Sequence, residues 1–106
     1  MIVALAFAAV VGNWKCTDSY GQHWVYTFAT TGQGTSSLIP SLGTQSFTYR
    51  IENGYLIMRE LGPPVGNSVR FRIQLHDGRM KMAGAEYWHD DGWTAFPSQD
   101  YNCMRT

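Results

Sequence analysis

The sequence predicts an all-β protein, a small eight-stranded up-and-down antiparallel barrel, from three observations. Apolar and polar residues alternate with a period of two over several short segments, which is typical of strands with one buried face. Turn-forming residues separate these segments, and 11 of the 106 residues are Gly. Aromatic residues, which favour strands, make up 14% of the chain, and no window shows helical periodicity. A chain of this length is one domain.

The strands follow one another through short turns. Trp24, Tyr26 and Phe28 share one face of the second strand. Asn53-Gly54 is a strong hairpin signal, because both central residues of a type I′ turn need a positive φ. Gly62-Pro63-Pro64 ends the strand that precedes these three residues, and His76-Asp77-Gly78 forms a second turn. The predicted strands begin near residue 12 and then cover residues 23–28, 36–39, 47–51, 55–61, 68–75, 79–82 and 101–105. A meander of this kind closes, because closure removes its exposed edges.

Closure requires the first and last strands to pair, and two pairs of residues then share one register. In an antiparallel pair, the numbers of facing residues have a constant sum. Cys16 facing Cys103 and Trp14 facing Arg105 give the same sum. This register places a disulfide and a barrel-closing Trp–Arg contact two residues apart on one face. The disulfide is expected of an exported protein, and the alternative is a cytosolic protein with two unrelated thiols.

The first eleven residues, MIVALAFAAVV, are uncharged and too few to span a bilayer as a helix. Ala6-Phe7-Ala8 matches the A-x-A cleavage pattern of signal peptides, but the usual basic segment before the apolar one is missing. We therefore predict a truncated signal peptide over residues 1–11, a barrel domain over residues 12–106, and a secreted or periplasmic mature chain without a membrane span. The alternative is an apolar N-terminal segment that forms a buried first strand.

Charge and motifs narrow the function. Eight basic and eight acidic residues give zero net charge, so that nucleic acid is not expected as a partner. His23, His76 and His89 have no second ligand at the spacing of a metal site, and no cofactor or metal is predicted. No nucleophile elbow or other catalytic signature is present, and the sequence therefore predicts a protein that is not an enzyme.

Aromatic residues form the candidate ligand-binding site. Some face the predicted barrel interior, and others belong to residues 87–97, which the sequence predicts as an aromatic loop or irregular strand. Aromatic side chains are enriched where proteins bind, and the alternative is that they fill and cap the core. An eight-stranded barrel holds either packed side chains or one small ligand. The candidates are Trp24, Tyr26, Phe47, Tyr87, Trp88 and Trp93.

Several motifs of the sequence resemble those of lipocalins, in particular those of the short bacterial lipocalin-like domains. Gly12-Asn13-Trp14 matches the G-x-W that opens a lipocalin barrel, and Arg105 matches the basic residue that packs across that Trp. Tyr26-Thr27-Phe28, followed by Gly32 and Gly34, is similar to a hairpin of the short forms. The resemblance implies a non-enzymatic exported protein that binds a small apolar molecule in the barrel mouth. The chain has no room for the helix of classical lipocalins, and their ligand pocket is not carried over.

A second resemblance, to periplasmic lysozyme-inhibitor barrels, implies an alternative function. Those barrels also carry cysteines near both ends, and residues 83–87 are loosely similar to one of their loops. The Trp-x-Lys-Gly expected after it is absent, since Trp93 precedes Thr94-Ala95-Phe96. The alternative is a protein-interaction or inhibitor module that uses the aromatic loop 87–97 and the Pro63-Pro64 turn. A third possibility is a structural protein without a lumen. A hollow barrel interior favours ligand binding over both.

Overall fold

The structure, a computed structural model, describes residues 7–40, 43–61, 68–89, 92–95 and 99–106. Within these residues it contains nine antiparallel strands. The strands are β1 (Gly12–Asp18), β2 (His23–Phe28), β3 (Gln33–Ile39), β4 (Thr44–Glu52), β5 (Tyr55–Glu60), β6 (Ser68–His76), β7 (Arg79–His89), β8 (Gly92–Ala95) and β9 (Tyr101–Arg105).

Eight of these strands close into a barrel, as the sequence predicts. Strands β1 to β7 pair in chain order, and β9 pairs with both β7 and β1 to complete the ring. Two hairpin turns have the backbone that their sequences predict. Asn53 and Gly54 have φ angles of 53° and 79°, and Asp77 and Gly78 have φ angles of 47° and 74°. These positive angles are the reason that Asn, Asp and Gly occupy the two turns.

The predicted strand 79–82 is too short, and of the two alternatives for residues 87–97 the described residues agree with the irregular strand and not with the loop. Strand β7 continues to His89 instead of ending at residue 82, and residues 92–95 form β8, which pairs with the end of β7. The cause is a bulge opposite Phe71, where the register of β6 and β7 shifts and Gly84 has a φ angle of 63°. The bulge moves the inward face from Met82 to Ala85, which breaks the alternation that marks a strand in the sequence. Residues 87–89 and 92–95 are therefore a hairpin.

Some predicted features lie outside the described residues. These are residues 1–6 of the apolar N-terminal segment, the Gly62-Pro63-Pro64 turn, Asp90 and Asp91 of the hairpin, and residues 96–98 of the aromatic stretch.

The seam between β1 and β9 has the predicted register. Trp14 faces Arg105, Cys16 faces Cys103, and Asp18 faces Tyr101. Cys16 and Cys103 form a disulfide between residues 87 apart in sequence, and the two side chains are only 2% and 3% exposed. The three residue pairs share the inner face of the barrel, because strand residues alternate between faces.

One end of the barrel is sealed by the residues before β1. Residues 7–10 form one helical turn, not the buried strand of the alternative prediction, and Val10 is fully buried. Trp14 Nε1 donates a hydrogen bond of 2.8 Å to the Val10 carbonyl oxygen. The ring of Phe7 stacks on Tyr49 with 5.2 Å between centroids. Cleavage after Ala8 would remove Phe7 but leave Val10 in place, whereas removal of all of residues 1–11 would also take away the buried Val10. The signal peptide stays a prediction.

Arg105 fastens this end of the barrel to the helical turn. Its guanidinium lies 4.4 Å above the ring of Trp14 and donates hydrogen bonds to the carbonyl oxygens of Ala9 and Val11. A Cβ atom on Gly12 would lie 2.6 Å from Arg105 Nη1. A side chain at position 12 would therefore clash with the guanidinium, which explains the glycine there.

We expect the disulfide to supply a large part of the stability. The double variant Cys16→Ala/Cys103→Ala should lower the free energy of unfolding by about 4–5 kcal/mol, because the reduced chain regains the entropy of an open loop of this length. Urea denaturation measures the loss, and the wild-type chain treated with reductant is the control. A double variant as stable as the oxidised wild type would contradict the expectation.

Arg105→Ala should lower the free energy of unfolding by about 2 kcal/mol, since it removes the cation–π contact and two hydrogen bonds to backbone carbonyls. Lys81→Ala, which truncates an exposed cation on β7, is the matched control and should change stability by less than about 0.5 kcal/mol. Equal denaturation midpoints for the two variants would show that Arg105 does not hold the sealed end.

Candidate functional site

The other end of the barrel is open and contains a cavity of about 470 Å³. It lies where β1, β3, β5 and β7 end and where β2, β4, β6 and β9 begin. Seven aromatic side chains line it: Trp24, Tyr26, Phe47, Phe71, Tyr87, Trp88 and Tyr101. Its polar lining residues are Ser36, Gln45, Glu60, Ser68 and Gln99. The interior is therefore hollow at this end and filled at the sealed end.

Packed aromatic rings form the floor of the cavity. Tyr26 meets Tyr101 edge to face at 5.7 Å between centroids and lies 6.2 Å from Phe47. Phe71 meets Tyr101 edge to face at 5.5 Å. Burial, and then the proximity of Tyr101, raises the pKa of Tyr26 well above its ordinary value, so its hydroxyl stays neutral. Gly34 allows this packing, because a Cβ atom there would lie 2.6 Å from the ring of Phe47.

Asp18 organises one side of the opening. Its side chain is buried, and Oδ2 accepts hydrogen bonds from Trp24 Nε1 at 2.9 Å and Gln99 Nε2 at 3.1 Å. Oδ1 accepts two further bonds of 2.9 Å from the backbone N–H groups of Tyr20 and Gln22. Burial acts to raise the pKa of this carboxyl, but the hydrogen bonds outweigh it and hold the pKa below its ordinary value. One ionised carboxylate thus fixes two lining residues and the β1–β2 turn.

Glu60 places a carboxylate in the cavity wall. It is the last residue of β5 and faces Phe47 across the β4–β5 pair. Leu56 and Met58, four and two residues earlier, are buried in the core, so the alternation of the strand directs Glu60 to the same inner face. Among the lining residues that the structure describes, Glu60 alone carries a Lys, Arg, Asp or Glu charge.

The structure brings five of the six predicted binding residues together. Trp24, Tyr26, Phe47, Tyr87 and Trp88 all line the cavity.

Trp93, the sixth predicted residue, contacts one member of this group but does not line the cavity. Its ring meets Trp88 edge to face at 5.4 Å, and the guanidinium of Arg70 lies 4.4 Å from it. Arg70 also contacts the ring of Tyr55 and forms an ion pair of 2.8 Å with Glu86. Trp93 thus belongs to a cluster beside the cavity and not to its lining.

The sequence interpretation did not include Asp18 and Glu60. Each stands at an inward position at the end of a strand, after Trp14 and Cys16 in β1 and after Leu56 and Met58 in β5. Continuing the alternation to the last residue of each strand would have identified both.

Within the described parts of the chain, no group of three or more His, Cys, Asp or Glu side chains is arranged to hold a metal ion. The same residues contain no helix with the length and apolar character needed to cross a membrane.

No family model, no curated protein and no solved structure matches this chain.

The hydrogen bonds of Asp18 should make stability depend on pH. The ionised carboxylate contributes stability that is complete above its ordinary pKa of 3.8 and is lost as the pH falls through the lower folded value. Asp18→Asn should therefore lower the free energy of unfolding at pH 7 by about 1–3 kcal/mol, and this difference should shrink in acid.

Urea denaturation at a series of pH values measures this effect. Asp77→Asn is the matched control, since it removes the same charge from a side chain that is 85% exposed and Asn tolerates a positive φ. A constant difference between wild type and Asp18→Asn down to pH 2 would contradict the assignment.

Proposed function

We propose that this chain is a non-enzymatic exported protein of the lipocalin superfamily that binds a small apolar molecule in the open end of its barrel. The cavity of about 470 Å³ is the observation that carries this proposal. Protein sites for small molecules commonly measure about 300–1,000 Å³ and are lined by apolar and aromatic side chains with a few polar groups. The cavity has both properties.

The sealed end of the barrel supports the assignment to the lipocalins. The contact between Trp14 and Arg105 is the one that the resemblance implies for the G-x-W and basic residues. The absence of a side chain at Gly12 has a direct role in this contact. The disulfide supports export, because such bonds persist in oxidising compartments such as the periplasm or the extracellular space.

Exposed apolar residues at the open end favour a second candidate, a protein-interaction or inhibitor module. Tyr20, Ile39, Leu61 and Trp88 are 69%, 48%, 47% and 47% exposed and stand at the ends of strands or in the turn around this opening. Exposed Trp and Tyr are typical of binding hot spots. The two candidates differ in depth: a small molecule would enter the cavity, whereas a protein partner would stay on its rim.

Filling the cavity tests the proposed function. Ser36 lines the cavity between Tyr26 and Gln45, whereas Thr35 precedes it on the opposite face of β3. Ser36→Phe should weaken binding of the neutral fluorophore N-phenyl-1-naphthylamine by at least about tenfold, a loss of about 1.4 kcal/mol. Thr35→Phe is the matched control and should bind like the wild type.

Fluorescence titration measures the three affinities, with thermal melts to verify that both variants fold. Saturable binding that Ser36→Phe removes supports a ligand inside the barrel. Equal affinities in all three proteins, or no saturable binding to the wild type, would overturn the proposal. Either result would favour the second candidate, a protein partner that binds at the rim.

A further inference from the structure

The carboxylate of Glu60 is unusual because no described residue of the cavity wall neutralises it. The side chain is only partly exposed, and no hydrogen bond or ion pair joins it to another residue in the described ranges. Its cross-strand neighbour is Phe47, and the previous inward residue of β5 is Met58. An unpaired carboxylate among apolar side chains loses hydration without compensation. A ligand that supplies a positive charge would provide this compensation.

No Lys or Arg side chain occupies this position. The chain has eight Lys and Arg residues, and none of them lines the cavity. Seven alternate with inward residues and therefore belong to the outer face of the barrel, as Arg59 does between Met58 and Glu60. The eighth, Arg105, is at the sealed end, against Trp14.

Two further features of the opening favour a positive charge. The ionised carboxylate of Asp18 lies directly behind Trp24 and Gln99, both of which line the cavity. Aromatic ring faces also attract cations, because their quadrupoles are negative above the ring. The cavity therefore combines aromatic walls, one carboxylate in the wall and a second carboxylate behind it.

We propose that the ligand is an organic cation, an apolar body that carries a quaternary or protonated nitrogen. The nitrogen is held by the Glu60 carboxylate and by neighbouring aromatic rings such as Phe47, while the apolar body fills the rest of the cavity. The same arrangement disfavours fatty acids and other organic anions, because they would meet the Glu60 charge without a counter-ion. This inference rests on the proposed function and specifies its ligand class.

A pair of isosteric probes separates charge from shape. Phenyltrimethylammonium and tert-butylbenzene have the same shape, but only the first is charged. Each is titrated as a competitor of N-phenyl-1-naphthylamine, and the readout is the ratio of the two dissociation constants. Glu60→Gln should shift this ratio against the cation by at least about tenfold, because it removes the charge and keeps the side-chain size.

Glu52→Gln is the matched control. It makes the same change in net charge at an exposed residue beside the β4–β5 turn, at the other end of the strand pair. A ratio that changes in Glu60→Gln and stays constant in Glu52→Gln supports the inference.

The remaining outcomes distinguish the two proposals. If both probes displace the fluorophore and their ratio is the same in all three proteins, the cation inference is overturned while ligand binding stands. If Glu60→Gln weakens the binding of both probes equally, the inference is also overturned, because the residue then affects the shape of the cavity and does not distinguish a cation from a neutral molecule. If the wild type binds neither the fluorophore nor the probes, the proposed function itself fails.

Discussion

The pairing of β1 with β9 is the constraint on which the rest of the structure depends. It closes the ring of eight strands and joins residues from opposite ends of the chain. Because one register governs all five facing pairs, it also decides what each level of the barrel contains. Trp14 meets Arg105 at the sealed end, Cys16 bonds to Cys103 at the middle of the seam, and Asp18 lies at the opening. A slip by one residue would turn all of these side chains to solvent.

This arrangement divides the barrel into a filled half and a hollow half. A cavity lowers the stability of a small protein, because the side chains that line it lose packing partners on one side. The opposite half compensates through a fully buried Val10, the ring of Trp14 and the cation above it. The disulfide adds a constraint on the unfolded chain that does not depend on how well the interior is filled. The open end can therefore stay hollow while the barrel remains closed.

The sequence predicted those features that depend on local patterns or on a single register. The Asn53-Gly54 turn follows from backbone angles alone, and the Cys16–Cys103 bond from the matching position of Trp14 and Arg105. Strand β8 was missed because Gly84 inserts an extra residue and shifts the inward face of β7. The hollow interior also could not be predicted, since alternation gives the direction of a side chain but not whether facing side chains meet. Trp93 shows the same limit of the sequence pattern. The ring that it contacts, Trp88, lies across the hairpin that follows the bulge.

The burial of the disulfide has a consequence for its chemistry. Thiol–disulfide exchange requires a thiolate to reach one sulfur atom directly, and both half-cystines are almost completely enclosed by the barrel. A small reductant can attack only after β1 and β9 have separated, which is an opening of the fold and not a local fluctuation of a loop. The rate of reduction is then governed by how often the seam opens. The bond consequently persists for kinetic reasons, even in surroundings where the dithiol form would be favoured at equilibrium.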